Sequence, residues 1–381
     1  MRAADTMTPS ERLTAVLENR TPDRVPISFK SVDPYAVDNP RVADDPNYRT
    51  LTKIAGRYTE VFHNWDIGSN RPNHSNHPYC FSGSDEIETR SKASTDGTET
   101  VTEVTTPAGT LTRTQRIVLG STWETKPFIE TEDDLNIFLA HEWVPYRPDL
   151  DSFWREKERL GDGGRMRISV SDPIGAVAPQ LPRETLYIWM MERPELVDTL
   201  VERMFGSLLD VLTYLAESGV ECAFQFSGAE YAAPPMASPE LFDRYVGRFG
   251  PPMTGVLREH GCLPYLHCHS RVGALLERFC DMGFVATHPV EPPPMGDVTA
   301  QQFKDRVGDR LAMIGNIQVG DLMHSEDPES IRAWITNLID TMGVEGGLIV
   351  SESATPWERP MPDHTLRNYI TLIEAAHAVG R

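Results

Sequence analysis

The chain has 381 residues, a formal net charge of −20, and 40% hydrophobic against 24% charged residues, which is ordinary for a folded globular protein. The negative charge argues against nucleic acid or an anionic membrane as the main partner. The five cysteines form no CxxC motif, and no apolar run is long enough for a signal peptide or a membrane span. We therefore expect free thiols and a cytoplasmic protein.

Alternating strands and helices run through most of the chain. An amphipathic helix near residues 10–18 comes first, and a helix near 48–55 lies between the first two strands. From residue 166 onward, each predicted strand is followed by a helical stretch. The predicted strands are 25–29, 58–65, 166–171, 221–227, 263–268, 284–287, 311–315 and 347–350.

Residues from about 84 to 118 differ in composition from the rest of the chain, with threonine, valine and alternating charges around two glycine turns. This pattern is typical of antiparallel strands, and we interpret it as a β-hairpin insertion. Eight strands that are each followed by a helix predict a (β/α)₈ TIM barrel. We expect one domain over residues 1–381.

The chemistry of such a barrel lies at the carboxyl ends of its strands. Acidic, amide and imidazole side chains concentrate at these predicted ends, so a polar site is expected there. The residues are Asp66, Asp172, Glu230, His267, His269, His288, Glu291, Asn316 and Glu352.

Two histidines lie together in the stretch Leu263-Pro264-Tyr265-Leu266-His267-Cys268-His269. Because side chains alternate along a strand, His267 and His269 point the same way and Cys268 points the other way. Two imidazoles on one face form half of a metal site or a catalytic histidine pair. The alternative is a structural pair that hydrogen-bonds to the backbone.

Several common site motifs are missing from the sequence. It contains no GxGxxG after a strand, no P-loop and no GxSxG. These absences weigh against dinucleotide, nucleotide and serine-hydrolase sites.

Several segments, taken in order, resemble the uroporphyrinogen decarboxylase superfamily. Those segments are Ser10-Glu11-Arg12-Leu13, Pro22-Asp23-Arg24-Val25-Pro26, Thr106-Pro107-Ala108-Gly109-Thr110-Leu111, Ser238-Pro239-Glu240-Leu241-Phe242, Gly261 to His267, Gly315-Asn316-Ile317 and Gly346-Gly347-Leu348-Ile349. The resemblance covers nearly the whole chain. It implies a barrel fold and leaves the reaction open.

One branch of that superfamily decarboxylates uroporphyrinogen without a cofactor and carries an arginine-rich loop after the first strand. The corresponding stretch here is Lys30-Ser31-Val32-Asp33-Pro34-Tyr35, which has no arginine. An anionic porphyrinogen would face Asp33 and Asp38 instead of guanidinium groups. The resemblance therefore argues against uroporphyrinogen decarboxylase activity itself.

The other branch transfers methyl groups, and its zinc-dependent members use a His-x-Cys strand motif and a later cysteine. This sequence matches at His267, but His269 replaces the first cysteine and Ser351-Glu352-Ser353 replaces the second. The resemblance implies a metal site of His267, His269 and Glu352, for zinc or another divalent metal. Without thiolates, the same histidines could instead serve as acid and base groups.

Other candidate site residues flank the histidine strand. We predict that Glu230, His288 and Glu291 are catalytic, since proline-rich loops hold them near strand ends. Tyr231, Trp65 and Asn316 are predicted to bind substrate. For each of them, the alternative is a loop or core residue without a chemical role.

The first functional hypothesis is a methyltransferase or demethylase. It would move a methyl group from a small O-, N- or S-methylated compound to a corrinoid protein or a folate, with the corrinoid on a separate partner. A metal-assisted lyase or decarboxylase on a small acid and a non-catalytic corrinoid- or porphyrin-binding barrel are the alternatives. A homodimer is compatible with the sequence.

Overall fold

The computed structural model describes residues 5–30, 32–36, 39–68, 77–118, 121–325, 327–343 and 345–380. The α-helices in these ranges are α1 Pro9–Leu17, α2 Pro40–Asp44, α3 Pro46–Tyr58, α4 Glu132–Ala140, α5 Asp151–Leu160, α6 Pro173–Val177, α7 Arg183–Glu192, α8 Pro194–Glu217, α9 Pro239–Tyr245, α10 Gly250–Glu259, α11 Leu276–Asp281, α12 Ala300–Val307, α13 Val319–His324, α14 Pro328–Met342 and α15 Asp363–Val379. None of these helices, within the described residues, is long and apolar enough to cross a membrane.

The strands form two sheets. They are β1 Val61–Trp65, β2 Glu88–Ala93, β3 Glu99–Thr106, β4 Gly109–Val118, β5 Ser121–Lys126, β6 Gly164–Ser171, β7 Ala223–Ser227, β8 Leu263–His267, β9 Ala286–His288, β10 Ala312–Ile317 and β11 Leu348–Glu352. In the described ranges, β1 and β6 to β11 pair in sequence order as a seven-stranded parallel sheet. The fold is therefore mixed α/β, with helices between successive parallel strands.

The predicted count of eight barrel strands needs a correction, because the residues that the structure describes form seven parallel strands. Residues 25–29 contribute one bridge, between Ile27 and Val350, instead of a strand. The backbone N–H of Ser28 donates to the Val350 carbonyl at 2.9 Å, and that of Glu60 donates to the Ile27 carbonyl at 2.8 Å. Pro26 has no N–H to donate, so a regular ladder cannot extend through this segment.

Two apolar clusters lie on the two faces of the parallel sheet. The inner cluster joins alternate strand residues, such as Leu263 and Tyr265 of β8, to Leu13 and Leu17 of α1. The outer cluster contains Leu266 and the other strand residues that pack under the helices. Helix α1 thus covers the amino ends of the strands, and the carboxyl ends remain available for polar groups.

A four-stranded antiparallel sheet, β2 to β5, corresponds to the predicted insertion. It extends to Lys126, beyond the predicted limit near residue 118. Val104 and Leu111 are buried on one face, whereas Ile117 and Trp123 are half or more exposed. Whether the whole chain is one domain stays a prediction.

Candidate active site

Three side chains form a hydrogen-bonded line at the carboxyl ends of the strands. The last residue of β8, His267, has its Nε2 atom 3.0 Å from the Nζ atom of Lys30. Its Nδ1 atom lies 2.7 Å from Nδ1 of His288, the last residue of β9. Nε2 of His288 lies 3.0 Å from the backbone carbonyl of Glu352. The line therefore crosses from the first segment of the sheet to the last strand.

The chemistry of the partners fixes the direction of these hydrogen bonds. An ammonium group only donates, so Lys30 donates to Nε2 of His267. His267 then carries its proton on Nδ1 and donates to His288. His288 in turn donates from Nε2 to the carbonyl of Glu352. Both imidazoles are neutral in this arrangement, and each ring nitrogen of the two has a partner.

His269 lies beside this line, without belonging to it. Its ring centroid is 4.7 Å from that of His267, with the two planes nearly perpendicular. Nδ1 of His269 is 3.1 Å from Oε2 of Glu291 in the loop after β9. The two sequence-predicted histidines thus adjoin each other, and each has its own partners.

Glu352 is fully buried at the end of β11, and its carboxylate accepts a hydrogen bond of 3.0 Å from the backbone N–H of Lys30. Along β11, Ile349 packs in the inner cluster, whereas Leu348 and Val350 pack in the outer one. Alternation therefore puts Glu352 on the outer face. Its carboxylate holds the Lys30 backbone instead of approaching His269.

Asp172 and Glu230 are brought together by a close contact between two loops. Gly228 has φ of +107°, and a Cβ atom there would lie 2.4 Å from Cα of Gly175. Only glycine allows this approach. Asp172 accepts from the Gly175 N–H at 2.9 Å, and Glu230 accepts from the Gly228 N–H at 3.1 Å. The second oxygen of Asp172 is buried and has no hydrogen-bond partner among the described residues.

Burial shifts the pKa values of several groups in this region. It lowers the pKa of Lys30 to about 8, assisted by nearby Arg167, although Glu352, Glu230 and Glu291 act in the opposite direction. It raises the pKa of Glu352 to about 7 and that of Asp172 to about 8. It lowers the pKa of His267 and of His288 well below the usual value. Burial thereby favours the uncharged form of each of these acids and bases.

Glu291 differs from its acidic neighbours. Burial alone would raise its pKa, but the hydrogen bond and charge of His269 outweigh burial and lower it. Glu291 and His269 thus form a polar pair at the rim, and the His269 side chain is 34% exposed.

The three predicted substrate-binding residues lie in different surroundings. Trp65 is buried on the outer face, where its Nε1 donates to Ser152 and its ring packs on Phe153 of α5. It is core, and its placement does not support a role in substrate binding. The Tyr231 ring lies 5.4 Å from the guanidinium of Arg183. Asn316 is buried at the end of β10, and its side-chain oxygen has no hydrogen-bond partner within the part of the chain that the structure describes.

A small cavity of about 10 Å³, which has room for about one water molecule, lies inside the sheet next to His288 and Lys30. Arg167, Gln225 and Tyr265 also line it. A larger cleft, about 570 Å³, lies at the amino ends of the strands beside Cys262 and Cys280. None of the candidate site residues lines that cleft, whereas Lys30 and His288 line the small cavity.

The predicted metal ligands do not fit a metal ion in this arrangement. Among the described residues, no group of three or more His, Cys, Asp and Glu side chains is arranged to hold one. The Nε2 atom of His267 faces an ammonium group, and Glu352 binds a backbone N–H. The metal hypothesis stays a prediction.

Sequence reasoning missed two cations of the site. Lys30 appeared only as the start of a loop without arginines, and Arg167 was not considered. Lys30 directly follows a predicted strand, so its position at a carboxyl end was available as a signal. Arg167 lies inside β6, where alternation with buried Ile168 places it on the inner face.

A family model for uroporphyrinogen decarboxylase (URO-D) matches residues 181–379, just over half of the chain. The chain belongs to the uroporphyrinogen decarboxylase family. The predicted family is thus confirmed. The matched range contains His267, His288 and Glu352, whereas Lys30 and Arg167 lie before it.

Solved structures extend the likeness of this family member to the whole fold. A methyltransferase from Methanosarcina mazei superposes with a TM-score of 0.62 at 14% identity, covering 98% of this chain and 99% of that one. D-psicose 3-epimerase from Clostridium cellulolyticum H10 gives a TM-score of 0.34 at 9% identity, covering 59% and 80%. That second likeness is too low to support an inference. No curated protein matches the chain significantly.

Proposed function

We propose that this family member is an enzyme of the methyltransferase type, acting on a small O-, N- or S-methylated compound. The observation that carries the proposal is the line Lys30–His267–His288 at the carboxyl ends of the strands. The likeness in fold to a methyltransferase supports it. We also infer that the bridge at Ile27 closes the sheet into a (β/α)₈ barrel, so that the strand ends share one mouth.

The chemical difficulty in removing a methyl group from a heteroatom is the poor leaving group. As the bond to the methyl carbon breaks, its electron pair stays on the heteroatom, which must then take a proton. The ammonium of Lys30 is the acid in the right position, since it already donates to His267 at the inner face. The methyl carbon forms its new bond to the acceptor, which a separate corrinoid protein or a folate would supply.

The remaining side chains orient this acid. His288 fixes the proton of His267 on Nδ1, because their Nδ1 atoms are 2.7 Å apart. His267 therefore presents a lone pair to Lys30 and keeps the ammonium pointed into the mouth. The unpartnered oxygen of Asn316 is available to accept a hydrogen bond from a substrate.

The proposal is tested by methyl transfer to reduced free cobalamin from a panel of methyl ethers, methylated amines and methyl thioethers. Formation of methylcobalamin is followed by absorbance. We expect transfer from at least one class of donor. In Lys30→Met, which keeps the length of the side chain without the acid, the rate should fall by about 10²–10⁴-fold.

Lys53→Ala, at an exposed position of α3, serves as the control and should retain the rate. Absence of transfer from every donor, or full activity in Lys30→Met, would contradict the proposal.

A second candidate is a lyase or decarboxylase on a small acid, one of the alternatives from the sequence. The specific observation in its favour is that two cationic side chains, Lys30 and Arg167, line the same cavity. A guanidinium and an ammonium together suit a carboxylate substrate. Release of CO₂ from small carboxylic acids, lost in Arg167→Met while methyl transfer is undetectable, would favour this candidate.

A further inference from the structure

The surroundings of the Lys30 side chain resemble a cation site. The carboxylates of Glu352, Glu230 and Glu291 act on its ammonium electrostatically, and His267 contacts it directly. These residues come from four different strand ends or the loops that follow them. One imidazole and several carboxylates are also ligand types that divalent transition metals accept, although no three of them among the described residues are arranged to hold an ion.

We propose that the ammonium group of Lys30 is the resident cation of this site and holds the position from which a metal ion would contact His267. The wild-type protein accordingly binds no zinc there. The proposal concerns the same residues as the proposed function but does not depend on which reaction they perform.

The hydrogen bonds of the line support this assignment. A metal-binding imidazole needs a free lone pair, and the lone pair of Nε2 in His267 already accepts from Lys30. The lone pair of Nδ1 in His288 already accepts from His267. Removal of the lysine amine would therefore leave Nε2 of His267 free as a ligand on the inner face of the sheet.

The anchoring of Lys30 supports it as well. Its backbone N–H binds Glu352 at 3.0 Å while its side chain reaches His267, so both ends of the residue are held. A zinc ion needs an imidazole nitrogen at about 2.0–2.1 Å. An ion at that distance from Nε2 would lie against the ammonium, and the two positive charges would repel each other.

The test is isothermal titration of chelator-treated protein with zinc chloride, comparing wild type with Lys30→Ala. We expect no zinc binding at this position in the wild type. In the variant we expect association through the freed Nε2 atom of His267 that is at least about 10-fold stronger than in the wild type, because no charged group must be displaced. The double variant Lys30→Ala/His267→Ala should lose this gain. Lys53→Ala should behave like wild type.

A second measurement covers the case in which Lys30→Ala fails to fold. Long-range nitrogen–proton NMR of histidine-labelled wild-type protein reports the tautomers directly. We expect the proton on Nδ1 of His267 and on Nε2 of His288, with both signals unmoved by added zinc. A stoichiometric zinc site in the wild type, no gain in a folded Lys30→Ala, or a proton on Nε2 of His267 would each overturn the proposal.

Neither readout involves turnover. Failure of this proposal would leave methyl transfer open, and absence of methyl transfer would leave the assignment of Lys30 intact.

Discussion

Two buried clusters of charged residues lie at opposite ends of the parallel sheet, and they are built differently. At the amino end, Arg12 donates to Asp23 at 2.5 Å and to Glu60 at 2.7 Å, and Arg24 donates to Glu60 at 2.6 Å. The backbone N–H of Ile27 satisfies the other oxygen of Glu60 at 2.8 Å. At the carboxyl end, Lys30 faces a neutral imidazole, and one oxygen of Asp172 has no partner in the described ranges.

The pKa shifts express the same contrast. Burial alone would raise the pKa of Asp23 and lower that of Arg12, but their mutual hydrogen bond reverses both shifts, so both groups stay charged. Near the candidate site, burial is the dominant cause, and it brings the pKa of Lys30 to about 8 and the pKa of Glu352 to about 7. Buried charged groups that have partners of opposite charge stay ionised and stabilise the fold. Buried groups without such partners have pKa values near neutral pH and can exchange protons there.

The largest effect on stability should come from Glu60→Gln in the amino-end cluster. Removal of the carboxylate takes away the buried counter-charge that Arg12 and Arg24 share. The less buried carboxylates of Asp5 and Asp23 remain as partners, so we expect a loss of about 3 kcal/mol in unfolding free energy. Urea denaturation measures it. Glu88→Gln, which breaks an exposed pair with Arg90, is the matched control and should cost less than about 1 kcal/mol. Equal losses in the two variants would remove the contrast between matched and exposed charges.

An intermediate effect is expected in the pH dependence of stability. Asp172 has a folded-state pKa of about 8 against an ordinary value of 3.8, so the folded protein keeps a proton that the unfolded chain releases. Its contribution to stability is full below about pH 4 and is lost as pH rises towards 8, by on the order of 1 kcal/mol per unit.

Asp172→Asn should remove this slope, since an amide does not titrate. The measurement is the unfolding free energy of wild type and variant at pH 5, 6, 7 and 8. Asp44→Asn, at an exposed position, is the control and should keep the wild-type slope. Parallel curves for wild type and Asp172→Asn would show that Asp172 is ionised in the folded protein.

The smallest effect should come from Cys268→Ala, between the two histidines. Cys268 is buried in the outer cluster, opposite His267, so the change removes packing and leaves the line of hydrogen bonds intact. We expect a loss of about 1 kcal/mol in stability with activity retained. A large loss of activity would mean that Cys268 belongs with the polar groups.

Local sequence patterns predicted the parts of the fold that depend on near neighbours. The period of two in β8 separated His267 from Cys268, and the alternation of strands with helices indicated an α/β fold. The same period places Glu352 on the face opposite the histidines, whereas the resemblance to a late metal ligand predicts that it joins them. The predicted first strand was reduced to a bridge at Pro26-Ile27, where a proline removes a donor.

The partnerships within the site could not be predicted in the same way. His267 and His288 are 21 residues apart, and Lys30 and His267 are 237 residues apart. Neither pairing leaves a local pattern, because both arise only when the strand ends meet. For Trp65, the residue type predicted a substrate-binding side chain, but its place in the strand puts the ring against the helices on the outer face.

The hydrogen bond between the Lys30 backbone and Glu352 spans 322 residues of sequence. During synthesis, the lysine is therefore made long before the strand that anchors it. The contact that holds the Lys30 backbone is therefore absent until β11, the last strand, docks against the first segment of the sheet.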